Sequence, residues 1–336
     1  MKKFLSTILA AVMVFAALAL VSCKKEETTG DDTTVPANVK FGMGVYTEVS
    51  AASDATEDKD GQGKITSTVA AVLVDAEGKI VSCQLDTADN TVAYTFEGKA
   101  VANDTFKTKA ELGKDYNMVA YGGAAKEWFE QADAFEGVVK GKTVDEIKAL
   151  VAEGDKGTDE VVNAGCTIMI NEFVLAIEKA VKNAADSKAT ADSALKLGIY
   201  TEQTCKDAEE EKDGQSKLET TVFAAAVDAE GKVIVSSSDC VQVTFTFDVA
   251  GASTYDLTKA VSTKKEAGDN YGMKAYGGAA KEWYEQAAAF DAACVGKNAT
   301  EIEAFLGEDN YGNADIKASG CTVLVNGFVK AAAKIK

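Results

Sequence analysis

The sequence predicts an α+β fold written twice along one chain. Two observations lead there. Ala120-Tyr121-Gly122-Gly123-Ala124-Ala125-Lys126-Glu127-Trp128 returns unchanged as Ala275-Tyr276-Gly277-Gly278-Ala279-Ala280-Lys281-Glu282-Trp283. Within each copy, strand-like segments come first and helix-like segments later, the order that marks α+β. Four more landmarks recur in sequence. Gly44-Val45-Tyr46-Thr47-Glu48 matches Gly198-Ile199-Tyr200-Thr201-Glu202, and Asp75-Ala76-Glu77-Gly78-Lys79 matches Asp228-Ala229-Glu230-Gly231-Lys232. Tyr116-Asn117-Met118 matches Tyr271-Gly272-Met273, and Gly165-Cys166-Thr167 matches Gly320-Cys321-Thr322. The offset runs only from 153 to 155 residues, far longer than the roughly 20–50 residues of solenoid repeats. The expectation is two tandem homologous domains, 39–183 and 194–336, each an antiparallel sheet followed by packed helices. A polar linker at 184–193 joins them.

In repeat 1, residues 40–49 alternate and read as the first strand. Residues 65–74 are rich in β-branched side chains and read as the second. Asp75-Ala76-Glu77-Gly78 is a turn, after which 79–85 and 91–96 form two further strands. In repeat 2 the segments 218–227, 232–236 and 241–247 do the same. The connections are too short for crossover helices, so the strands form an antiparallel meander. After Gly122-Gly123, residues 124–138 place Trp128, Ala132 and Phe135 on one helical side. Thr143-Val144-Asp145-Glu146 is a capping box, and Thr300-Glu301-Ile302-Glu303 repeats it. A short apolar strand is expected at 167–170, then a closing helix at 173–181 with Phe173, Ile177 and Val181 four apart.

The N-terminus reads as a targeting segment. Lys2 and Lys3 precede an apolar stretch at 8–20, too short for a comfortable membrane span. Leu20-Val21-Ser22-Cys23 resembles the lipobox of bacterial lipoproteins, in which the Cys is lipidated before cleavage. The expectation is a signal peptide at 1–22, lipidation at Cys23 and a flexible tether at 23–38. The protein would then be lipid-anchored in the cell envelope on the extracytoplasmic side, at the periplasm or the cell surface.

The chain contains no His and no Arg; all 35 basic residues are Lys. Removing Lys2 and Lys3 takes the net charge from −18 to −20. That balance speaks against a nucleic-acid partner. Without His there is no Ser-His or Cys-His dyad and no His-based zinc site. Without Arg there is no guanidinium clamp, so a bound phosphate must rely on Lys, hydroxyls or backbone N–H groups. Besides Cys23 there are six cysteines, none in a CxxC pair. Only Cys166 and Cys321 occupy matched positions, which argues against a shared disulfide framework. Acidic runs such as Glu57-Asp58-Lys59-Asp60 and Glu209-Glu210-Glu211 lack the spaced ligands of an EF-hand, and no metal site is expected.

Three places could carry chemistry. At Gly165-Cys166-Thr167 and Ser319-Gly320-Cys321-Thr322, small residues turn the chain and leave a Thr hydroxyl at the start of a strand. At Tyr121-Gly122-Gly123 and Tyr276-Gly277-Gly278, adjacent glycines before a helix offer N–H groups to an anion, and Tyr and Trp could flank a planar ring. The alternative there is a tight loop with Trp in the core. Lys109 and Lys264 either meet an anionic ligand or sit on a solvated strand and loop.

The Ser319-Gly320-Cys321-Thr322 segment resembles the Ser-Gly-Ala-Thr motif of exported FMN-binding domains. These occur in sodium-pumping and Rnf-type electron-transfer complexes and in flavinylated lipoproteins. In that family a separate transferase esterifies the Thr to the FMN phosphate. The resemblance implies Thr322 as the attachment site, with Ser319 and Gly320 matching and Cys321 standing where the family has Ala. In repeat 1, Gly165 and Thr167 match while Ala164 replaces Ser. The opening Gly-Val-Tyr-Thr, the Asp-Ala-Glu-Gly-Lys hairpin and the late Thr before a final helix are similar to the layout of those domains. The resemblance implies an FMN cofactor, covalent through Thr322 or Thr167 or non-covalent, with a flavin transferase and redox partners. The expected function is a membrane-tethered, flavin-based electron carrier with two FMN-binding-like domains, a carrier more than a catalyst. The alternative is a non-redox ligand-binding or structural lipoprotein on the same scaffold.

Overall fold

Residues 38–335 are described by a computed structural model. Repeat 1 begins with β1 (Asn38–Ser53), β2 (Gly61–Val74) and β3 (Ile80–Tyr94), antiparallel neighbours joined by short connections. A two-residue β4 (Ala100–Val101) pairs with the end of β3. Five helices follow: α1 (Lys109–Leu112), α2 (Trp128–Val139), α3 (Val144–Lys148), α4 (Asp159–Ala164) and α5 (Asn171–Lys182). β5 (Ala185–Thr190) then pairs with β1. Repeat 2 supplies β6 (Ala194–Lys206), β7 (Gly214–Val227) and β8 (Val233–Phe247). Its helices are α6 (Lys264–Ala267), α7 (Trp283–Cys294), α8 (Ala299–Glu303), α9 (Ala314–Ser319) and α10 (Asn326–Ala332). The sheet orders are β4-β3-β2-β1-β5 and β6-β7-β8. The fold is α+β with antiparallel sheets, and the order of three long strands before five helices in repeat 1 returns in repeat 2, without counterparts of β4 and β5.

Several boundaries differ from the sequence reading. The strands expected at 79–85 and 91–96 are one strand, β3, and those at 232–236 and 241–247 are one strand, β8. The polar residues between the expected strands sit inside paired strands, with Asn90 and Ser238 buried there. The linker expected at 184–193 contains β5, an edge strand whose Ala189 reaches the core. No strand forms at 167–170; Met169 makes only a single bridge to Lys156. The capping box of α8 is Asn298 with Glu301, two residues before the expected Thr300-Glu303, because Asn298 occupies the place of Thr143. Asn38, placed at the end of the tether, already belongs to β1. The expected signal peptide, Cys23 and the tether up to residue 37 lie outside the described residues.

Both faces of the central strands are covered, which explains their unbroken apolar runs. Along β2, Val69, Ala71 and Leu73 face one cluster, while Ala70, Val72 and Val74 face another. Along β7, Val222, Ala224 and Ala226 face the first cluster, while Phe223, Ala225 and Val227 face a third. The first cluster is shared: β1, β2 and β3 meet β6, β7 and β8 face to face. The other two lie under the helices of each repeat. The repeats are therefore not two separate cores, but helices, sheet, sheet and helices in succession. Gly44 explains the recurring Gly-Val-Tyr landmark. A Cβ there would run into the Ala176 carbonyl and the Ala180 amide of α5, so only Gly lets the helix lie this close to β1.

Contacts between the halves come in matched pairs, as in a two-fold dimer interface. Lys179 Nζ lies 2.6 Å from Glu266, and its counterpart Lys334 lies 2.7 Å from Glu111. The Ala55 amide donates to the Gly251 carbonyl at 2.7 Å, and the Ala208 amide to the Gly98 carbonyl at 2.7 Å. The Ser253 amide donates to Asp54 at 2.9 Å, and the Ala100 amide to Asp207 at 3.0 Å.

Candidate functional site

Each repeat opens a cavity between its sheet and its helices, and the two are lined by matched residues. The cavity of repeat 2 measures about 570 Å³ and that of repeat 1 about 650 Å³. Small-molecule sites span roughly 300–1,000 Å³. Trp283, Phe328, Tyr271 and Met273 supply the apolar lining in repeat 2, as Trp128, Phe173, Tyr116 and Met118 do in repeat 1.

A lysine enters each cavity from a short capped helix. Thr263 caps α6 with Glu266, and Thr108 caps α1 with Glu111, which fixes Lys264 and Lys109 at the first helical position. Lys264 Nζ stands 5.3 Å from the Tyr271 ring centre and 5.5 Å from that of Trp283. It also donates to Glu219 at 2.9 Å. Burial opposes its charge, but neighbouring Cys240 and Glu219 hold its pKa above the ordinary lysine value. Lys109 Nζ lies 5.3 Å from the Tyr116 ring and 5.9 Å from Trp128, and 3.5 Å from Asp89. Neither lysine is the free residue of a solvated strand.

The Gly-Cys-Thr segments serve three separate purposes. Gly165 (φ 104°) and Gly320 (φ 100°) end α4 and α9 in the left-handed region, where Gly is favoured. Cys166 and Cys321 are fully buried in their helix-side clusters, and burial pushes both thiols up to about 11, so neither is a nucleophile at neutral pH. All six described cysteines are free thiols. Thr167 and Thr322 reach the exposed rims of the cavities. The amide and hydroxyl of Thr322 both donate to Gln286 Oε1, at 2.8 and 2.9 Å. Thr167 does the same to Gln131 at the same distances. Each Gln is almost fully buried and donates in turn to the carbonyl of Lys281 or Lys126.

Other candidate residues fall elsewhere. Ser319 lies within α9, and its hydroxyl donates to the Ile316 carbonyl at 2.8 Å, away from the cavity lining. Tyr121 and Tyr276 are 88% and 92% exposed and line neither of these two cavities. Gly122-Gly123 and Gly277-Gly278 do not lead directly into a helix, because α2 and α7 start only at Trp128 and Trp283. The helix N-termini there are already closed by carboxylates. Glu127 accepts from the Met118 and Val119 amides at 2.9 and 3.3 Å, and Glu282 from Met273 and Lys274 at 2.9 and 3.2 Å. Of the glycine amides, those of Gly122 and Gly277 are taken by the Asn117 and Met273 carbonyls. What the unchanged nine residues contribute is the clamp of Glu127 or Glu282 and the wall of Trp128 or Trp283.

Sequence reasoning missed Gln131 and Gln286, the buried groups that orient the rim threonines. The available signal was their matched position three residues beyond the repeated Trp. It also missed Glu172, which lines the repeat 1 cavity where repeat 2 has Gly327. Among the described residues no cluster of three or more metal-ligating side chains could hold a metal ion, and no helix is long and apolar enough to cross a membrane.

The chain is 32% identical over 131 residues to a chlorophenol reductase of Desulfitobacterium hafniense. The match covers 35% of this chain and 40% of that protein. No protein-family model and no solved structure matches the chain.

Proposed function

We propose that this chain is an extracytoplasmic lipoprotein, tethered to the membrane at Cys23, that acts as a flavin-based electron carrier. The observation that supports it most is the pairing, in each repeat, of a rim threonine with an aromatic cavity entered by a lysine. The residues fit FMN in kind. Trp, Tyr and Phe offer faces for a planar ring, and Lys264 and Lys217, which share Glu219 between them, offer ammonium N–H donors to a phosphate in a chain without Arg. Cys in the place of the family's Ala is a small buried residue and leaves the threonine at the surface.

Bound flavin supplies one- and two-electron redox chemistry that no side chain here provides. The chain's own part is placement. Trp283 and Phe328 keep water from one wall, Lys264 offsets negative charge, and Gln286 holds the Thr322 hydroxyl at the rim. A flavin transferase acting on Thr322 or Thr167, and redox partners near the membrane, follow from this reading. The reductase name of the Desulfitobacterium protein supports a redox role over a purely structural one. One observation favours a non-redox ligand instead, namely the carboxylates that line the repeat 1 cavity.

The test is a visible spectrum and a denatured mass of the protein purified from its native host. A flavin spectrum with the added mass of one or two FMN is expected, and Thr322→Ala and Thr167→Ala then locate the attachment. A colourless chain at its lipoprotein mass that stays colourless with added FMN would sink this reading.

A further inference from the structure

We propose that the two cavities are not interchangeable: the repeat 2 cavity takes a planar ligand bearing a phosphate, and the repeat 1 cavity rejects it through Glu172. This inference rests on the flavin reading above and sharpens it. The two sites share most of their apolar lining positions and the entering lysine. Thr68 pairs across the sheet with Tyr46, and Thr221 pairs with Tyr200 in the same way. Above these threonines sit Glu172 on α5 and Gly327 on α10.

At this position the cavities diverge. Glu172 lines the repeat 1 cavity and accepts from the Thr68 hydroxyl at 2.8 Å. Gly327 leaves the same place open, so Thr221 itself lines the repeat 2 cavity; a Cβ on Gly327 would stand 2.6 Å from the Thr221 hydroxyl. The charge balance shifts with Glu172 and with Asp155, whose counterpart is Asn310. The repeat 2 lining holds Lys217 and Lys264 against Glu202 and Glu219, a net charge of zero. Glu219 is met by both lysines, at 2.7 and 2.9 Å, and Glu202 accepts from Asn326 at 2.9 Å. The repeat 1 lining holds Lys109 and Lys156 against Glu48, Asp155 and Glu172, a net charge of −1. Glu172 takes its hydrogen bond from a neutral hydroxyl, so its charge remains to face an incoming anion.

The chain carries one tryptophan in each cavity and no others, so each site reports on itself. The experiment uses the full chain made in a host without a flavin transferase. Trp128→Phe leaves Trp283 as the probe, and Trp283→Phe leaves Trp128. FMN is expected to quench Trp283 saturably and to require a concentration on the order of tenfold higher or more to quench Trp128, the effect of one nearby unit charge. Glu172→Gly in the Trp283→Phe chain is expected to bring Trp128 quenching into the range of Trp283. Gly327→Glu in the Trp128→Phe chain is expected to weaken Trp283 quenching by a similar factor. Should that variant fail to fold, Glu172→Gly decides alone, since it opens space instead of filling it. Equal quenching of both tryptophans, or no gain from Glu172→Gly, would overturn the inference while leaving the flavin reading intact. Quenching of neither would overturn both.

Discussion

Tyr94 and Phe247 occupy matched positions in the two repeats, and their rings stack on each other, parallel and 4.5 Å apart. Both are fully buried, and the Tyr94 hydroxyl donates to the Ser53 carbonyl at 2.8 Å. Each ring thus completes the core of the other repeat. Phe247→Ala is expected to cost roughly 3–5 kcal/mol, the range for removing a buried aromatic ring. Because the stack belongs to both halves, Trp128 and Trp283 should report one common urea transition in the native chain and in the variant. Two separated transitions would show that the repeats fold as independent domains.

A second matched pair makes stability depend on pH. Asp86 and Asp239 are raised to about 6, by burial first, against hydrogen bonds from Thr108 and Thr263 that favour the charged form. Between about pH 4 and pH 6 the folded chain holds these protons while the unfolded chain has released them, so stability falls as pH rises through that window. Below it both states are protonated, and above it the loss is complete. The difference is on the order of 3 kcal/mol for each carboxylate. Asp239 Oδ1 accepts from the Cys240 and Lys265 amides at 2.7 and 3.1 Å, and an Asn oxygen can do the same. Asp86→Asn with Asp239→Asn is therefore expected to reduce the fall of the urea midpoint between pH 4 and pH 6.5, leaving the part that comes from Glu136, which burial raises to about 7. An unchanged slope in that double variant would remove these groups as its cause.

The sequence was legible where a local rule acts alone. Alternation located β1, richness in β-branched residues located β2 and its counterpart β7, and spacings of three and four located α5 and most of α2. It was not legible where tertiary contact decides. Asn90 inside β3 reads as a strand break, yet it is buried against repeat 2 and donates to Thr201 at 3.3 Å. The polar residues of β5 read as a linker because only Ala189 shows that the segment has a buried side. For the site, Thr167 and Thr322 were legible from their motif. Gln131 and Gln286 were not, since a Gln on a helix normally faces water and only the folded chain brings it beneath a threonine on another element. Tyr121 and Tyr276 line neither cavity, and repetition between copies marks a shared loop as readily as a shared ligand.

Gln286 should matter to both stability and site geometry. Gln286→Leu leaves the Thr322 amide and hydroxyl without their acceptor and the Lys281 carbonyl without its donor. The expected cost is about 1–3 kcal/mol, the range for orphaned buried polar groups, and toward its lower end because water reaches the exposed rim. Amide hydrogen exchange at Thr322 should accelerate more than the global loss of stability explains. Exchange that follows global unfolding alone would mean that Gln286 does not anchor the rim.

Two glycine substitutions separate packing from the exposed loop. Gly44→Ala drives a methyl group into the backbone of α5 and is expected to cost about 1–3 kcal/mol, as overpacking does. Gly278 has φ of 65° and open space around its Cβ direction. Gly278→Ala therefore carries only the left-handed backbone penalty, roughly 1–2 kcal/mol. Gly278 is not part of the cavity lining, which takes Met273 and Ala279 from this loop, so FMN quenching of Trp283 is expected to keep the affinity of the parent chain. A marked loss of affinity in Gly278→Ala, with the urea midpoint shifted only by that small amount, would return the Tyr276-Gly277-Gly278 turn to the binding site.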